Sequence, residues 1–76
     1  MGKYHYVVMC DFNEGRFMGK GNVVPKNDRF KRGEVFEFEA YQDTQIKAIL
    51  SSLIAKRYNY KVTYVVNINI LKKEPI

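Results

Sequence analysis

Tyr60-Lys61-Val62-Thr63-Tyr64-Val65-Val66-Asn67-Ile68-Asn69-Ile70 decides how this chain folds. Its even positions are Tyr, Val, Tyr, Val, Ile and Ile, and its odd ones Lys, Thr, Val, Asn and Asn. Side chains alternate across a strand with period two, so the stretch predicts one long half-buried strand with its even residues in the core. Immediately upstream, Ile46, Ile49, Leu50, Leu53 and Ile54 recur at helical spacing. They predict an α-helix with one apolar stripe, including Ile49 and Leu53. Asp43 or Thr44 suits its N-cap, Lys56 and Arg57 the negative end of its dipole, and Asn59 the left-handed residue that ends it.

Further upstream, residues 35–41 alternate again, with Phe36, Phe38 and Ala40 against Glu37 and Glu39, and predict a second strand. Residues 3–12 predict a third, built on Tyr4, Tyr6, Val8 and Cys10. Asn13-Glu14-Gly15 reads as a turn, residues 17–24 as a returning strand weakened by Gly19 and Gly21, and residues 25–33 as a basic loop. The expected fold is therefore α+β and two-layered: a β-hairpin, then strand-helix-strand. One amphipathic helix covers one face of a three- or four-stranded sheet. The whole of residues 1–76 reads as a single domain.

One helix leaves the other sheet face open. Val7, Met9, Val35, Val65 and Leu71 are expected there, interspersed with His5, Glu37, Glu39, Lys61, Thr63, Asn67 and Asn69. An apolar patch of that kind marks an interface. Val7, Met9, Val35 and Val65 are the candidates for a homodimer contact or for another protein, although scattered exposed aliphatics are common on any surface.

The chemistry is thin. Cys10 is the only cysteine and His5 the only histidine, which excludes an internal disulfide, a thiolate cluster and a two-histidine metal site. Cys10 falls on the core face, where a cysteine behaves as a small hydrophobe. Glu37 and Glu39 share a strand face with Cα atoms roughly 6.5 to 7 Å apart. They lack a neighbouring cleft or hydroxyl, and cross-strand pairing, with Lys61 for example, accounts for them. Gly19-Lys20-Gly21 lacks the spacing and following helix of a phosphate loop. No catalytic residues, metal or cofactor are assigned, and the chain reads as a binding protein, not an enzyme. No signal peptide or membrane-length apolar run is present, so a cytoplasmic protein is expected.

Charge carries the strongest functional signal. The net charge is +5, and Arg16, Lys20, Lys26, Arg29, Lys31 and Arg32 face only Asp28 between residues 16 and 33. Residues 34–43 then hold Glu34, Glu37, Glu39 and Asp43 with no cation. Lys56 and Arg57 add to the basic set, and Phe30 and Tyr58 are the aromatic neighbours expected to be exposed. Cations exchange counterions for phosphates and exposed rings stack on bases, which points to nucleic acid as the partner. Strand alternation also generates such neighbours automatically, with the ring inside and the charge outside. A basic loop serves an acidic protein partner equally well. The alternative reading is a small inhibitor or adaptor that binds another protein through the open sheet face. The AT-rich codons of the chain's many Lys, Asn, Ile, Tyr and Phe residues suit an AT-rich bacterium or one of its phages. None of the paired-aromatic, GXXG or zinc-knuckle signatures of RNA-binding modules is present.

Overall fold

A computed structural model describes residues 2–76. Its elements are β1 (Tyr4–Phe17), β2 (Val23–Pro25), β3 (Lys31–Ala40), a 3-10 turn at Asp43–Gln45, α1 (Ile46–Tyr58) and β4 (Thr63–Pro75). The expected hairpin and strand-helix-strand order is present. The sheet has four strands, all pairing antiparallel to β1, and α1 lies on one face of it. β3 and then β2 run along one edge of β1, and β4 runs along the other. β3 and β4 are thus parallel to each other with β1 between them, and α1 makes the crossover.

β1 supplies the centre of the core because its even side chains all turn toward the helix. Tyr6, Val8, Cys10 and Phe12 are buried, joined by Phe36 and Ala40 from β3, Ile46, Leu50 and Ile54 from α1, and Val65 from β4. The aromatic rings of Tyr6 and Phe38 stack at 5.7 Å, and Phe12 meets Phe36 edge-on at 6.0 Å. β1 also runs past the expected turn. Asn13, Glu14 and Gly15 are strand residues, and the reversal comes later, at residues 18–22. Gly15 is there for closeness: a Cβ would stand 2.8 Å from Val23 Cγ1 and 3.0 Å from Val62 Cγ1.

The helix ends as anticipated at Asn59, which is left-handed (φ 59°, ψ 43°), with the Tyr60 N–H donating to the Ala55 carbonyl. Its start differs. The Gln45 side chain accepts from the Tyr41 and Gln42 backbone N–H groups, while Asp43 turns away to accept from the Tyr6 hydroxyl at 2.7 Å. Its buried stripe is also narrower than the spacing suggests. Ile46, Leu50 and Ile54 form one row four residues apart, Ile49 flanks it, and Leu53 is 37% exposed.

The long strand departs most from simple alternation. Val65, expected on the open face, is buried opposite Phe12. Tyr64 and Val66, expected inside, stand opposite Asn13 and Asp11 on the other side of the sheet. From Ile68 to Ile70 the parity is reversed, so that Ile70 lies opposite Val8 and shares its face, and a second shift at Leu71 restores it. The cause is a bulge. Two residues of β4, Asn67 and Ile68, oppose the single residue Cys10, and Asn67 takes a left-handed backbone (φ 56°). Ile68 and Ile70 regain the helix side beyond the area α1 covers and stay 37% and 38% exposed.

β3 gains a residue at the same level. Arg32 and Gly33 oppose Asp11 alone, and Gly33 has φ 65°. Asp11 is the centre of both irregularities. One carboxylate oxygen accepts from the Gly33 N–H at 2.9 Å, and the other accepts from Asn67 Nδ2 at 2.8 Å and from the Arg32 guanidinium at 3.5 Å. The Asn67 amide, the Gly33 N–H and the Arg32 charge hold the Asp11 carboxyl below its usual range.

Two outcomes follow for stability. Leu50→Ala empties a fully buried position and should cost about 2–5 kcal/mol in urea unfolding, whereas Leu53→Ala should cost under about 1 kcal/mol. Asp11 and Asp43 both have lowered pKa values in the folded chain. Their contribution is complete above the unfolded carboxylate value of about 3.9 and is lost as pH falls through their lower folded values. Asp11→Asn should lower the urea midpoint at pH 7 and flatten its fall below pH 4, as read by circular dichroism.

Candidate nucleic-acid interface

The hairpin end of β1 carries most of the basic residues. Arg16 and Phe17 pair with Val24 and Val23, and a tight loop closes with hydrogen bonds from Met18 N–H to the Asn22 carbonyl and from Asn22 N–H to the Gly19 carbonyl. Gly19, Lys20 and Gly21 all have positive φ (86°, 53° and 76°), a run that glycines on either side of Lys20 make affordable. Lys20 is left exposed at the tip. Beside it Phe17 and Met18 are 62% and 59% exposed.

The basic loop is tethered to β1. Buried Asn13 donates from Nδ2 to the Asn27 carbonyl at 2.7 Å, and the Asn27 side chain accepts from the Arg29 N–H at 2.8 Å. Lys26 meets Glu14 at 3.5 Å. The strand that follows splits its first two cations between the faces of the sheet. Lys31 stands over the Tyr58 ring at 5.2 Å, on the helix side, while Arg32 turns to Asp11 and to the Phe30 ring at 5.5 Å on the other. Arg29, Lys31 and Arg32 therefore do not form one patch.

What the structure does bring together is Lys31 with the end of α1. Arg57 covers the Phe36 ring at 5.2 Å, and Lys56 is exposed one residue before it. Neither of the rings expected to be exposed is free. Phe30 is half-buried edge-on against Tyr64 at 6.0 Å. Tyr58 is half-buried against Phe12 at 5.1 Å and Tyr60 at 5.7 Å, and its hydroxyl donates to Glu34 at 3.5 Å. The exposed ring at this end is Phe17, next to Arg16 at the end of β1.

Charges at the opposite end of β1 cancel one another. Lys3 pairs with Glu39, His5 with Glu37, Lys72 with Glu74, and Lys73 with Asp43 at 3.0 Å. Glu37 and Glu39 thus find partners on β1 and its lead-in, not in Lys61. Lys73 also lies over the rings of Tyr4 at 4.5 Å and Tyr6 at 5.7 Å. The bond from Tyr6 and the Lys73 ammonium lower the Asp43 pKa, and Asp43 in turn raises that of Lys73. This Tyr6-Asp43-Lys73 group clips the C-terminal part of β4 to the start of the helical segment. By contrast Arg16, Lys20, Arg29, Lys31, Lys47, Lys56, Arg57 and Lys61 make no ion pair among the described residues.

The same end holds a cleft of about 290 Å³ between the hairpin loop, α1 and β4. Residues 21–23, Lys47, Ser51 and residues 63–65 line it, none of them acidic. Neither the cleft nor Lys47 is apparent from the sequence, because three separate segments meet there.

On the open face, Val35 is 51% exposed, Val7 and Met9 are half-buried, and Val65 is absent. Register places Glu37, Glu39, Asn69, Lys72 and Glu74 around them. The face is more polar than expected.

Burial, with Asp11 and Glu34 nearby, pushes the Cys10 thiol up to about 11, so it stays protonated and a poor nucleophile at neutral pH. Among the described residues no cluster of His, Cys, Asp and Glu has a metal-holding arrangement, and no helix is long and apolar enough to cross a membrane. Comparison with protein-family models, with curated proteins and with solved structures finds no match for this chain.

Proposed function

We propose that this protein is a non-catalytic binding module that holds a polyanion, single-stranded nucleic acid, on its hairpin end. One observation supports the reading above the others. The cations with no acidic partner lie on the hairpin, its loop, the helix and the residues leading into β4, while those at the other end of β1 are neutralised within the fold. Unpaired ammonium and guanidinium groups release counterions on meeting phosphates, and that release supplies sequence-independent affinity. Phe17, exposed between Arg16 and the tip, is the ring placed to stack on a base.

The reading in which a second copy or another protein covers the open face rests on Val7, Met9 and Val35. With Val65 in the core and carboxylates around the remaining aliphatics, that face has the weaker claim.

The test is fluorescence anisotropy with a labelled single-stranded oligonucleotide across a salt series. Replacing Arg16, Arg29 and Lys56 together by Ala should weaken binding and flatten the slope of log K against log salt by about two, three phosphates fewer being neutralised. Phe17→Ala should weaken binding with the slope unchanged. Lys3 and Lys72 are already paired, and their replacement should leave both quantities alone. No binding by the wild type at about 50 mM salt would discard the nucleic-acid reading and promote a protein partner.

A further inference from the structure

The cleft at the hairpin end has the chemistry of an anion site and more room than a bare anion needs. Its polar side chains are the amide of Asn22, the ammonium of Lys47 and the hydroxyls of Ser51 and Thr63. Thr63 is committed to the Ser51 carbonyl at 3.2 Å, and Lys47 has no acidic partner among the described residues. With the Lys47 ammonium and no carboxylate in the lining, a cation meets a like charge and a phosphate meets donors from the helix and the hairpin. At about 30 Å³ per water in the liquid, a volume of about 290 Å³ holds roughly ten waters, well beyond one phosphate. The side chains of Val23 and Val65 give the remaining wall an apolar character suited to a sugar or base.

We propose that this cleft seats one nucleotide unit, its phosphate on Lys47 and Ser51 and its nucleoside against Val23 and Val65. The proposal deepens the nucleic-acid reading and rests on it for the source of the nucleotide. Two sources share this chemistry, a unit of a bound strand and a free mononucleotide. Lys47 is exposed on the helix surface and outside the core cluster, so its replacement leaves the fold intact.

The experiment is a ¹H–¹⁵N correlation titration of wild type and Lys47→Met with three probes: AMP, inorganic phosphate and a short single-stranded oligonucleotide. AMP should shift the amides of Asn22, Val23, Ser51 and Tyr64 together. Lys47→Met should weaken that binding about tenfold, the loss of one charge-assisted contact. Inorganic phosphate should bind more weakly than AMP at the same amides. A strand that shifts these amides as well as those of Arg16 and Arg29 identifies the strand as the source. If AMP shifts them and no strand binds, the cleft serves a free mononucleotide and the broader nucleic-acid reading falls. If a strand binds while these amides stay still with every probe, the cleft proposal is overturned and the broader reading stands. Equal binding of AMP and phosphate, or AMP binding indifferent to Lys47→Met, also overturns it.

Discussion

On both sides of β1 the neighbouring strand gains a residue at the same level, and the Asp11 carboxylate holds the two gains in place. Gly33 supplies a backbone donor from β3 and Asn67 a side-chain donor from β4. Both sit in left-handed conformations, which Gly33 adopts freely and Asn67 at a cost that its bond to Asp11 offsets. Because side chains alternate with period two, a single extra residue inverts which of them face the core. The Asp11 group therefore fixes more than a local kink. It determines that Val65 is inside and Val66 outside before the bulge, and that Ile70 shares the Val8 face after it.

The charge distribution follows from the same central strand. Where β1 begins, the residues brought opposite and beside it are acids and lysines that neutralise one another. Where β1 outruns β3 and forms the hairpin, acids are scarce, and Asp11 and Glu14 are already bound to Arg32 and Lys26. Lys56 and Arg57 occupy the last turn of the helix, whose carbonyl ends favour cations. They are held there at little electrostatic cost, beside Lys31 from a distant part of the chain.

Much of the fold was legible because local pattern and tertiary role agree over most of the chain. The even face of β1, Phe36 and Ala40 on β3, the helix with its Asn59 terminus, and the strand after it all emerge from periodicity. The failures share a physical origin. Alternation across Tyr60–Ile70 reads as unbroken because Tyr64, Val65 and Val66 are apolar on both faces, so the bulge leaves no mark in the hydrophobic pattern. Asn13-Glu14-Gly15 has turn composition, yet Gly15 is required by the approach of Val23 and Val62, a contact between segments far apart in sequence. The basic residues were legible as a set, but their arrangement was not. Lys31 and Arg32 are neighbours in sequence and part company across the sheet, while Phe30 and Tyr58 find tertiary partners and Phe17 does not.

The burial of Cys10 at the middle of β1 has a further consequence. Its sulfur lies beneath the helix, between the bulges of both flanking strands. With no second cysteine in the chain, thiol chemistry reports on one location alone. An alkylating reagent reaches that sulfur only when the central strand has parted from its cover, and the thiolate forms readily only after the pKa has fallen back toward its free value. Alkylation of the native protein is thus a clock for opening of the core, and its rate in the presence of a ligand measures how far that ligand holds the sheet and helix together.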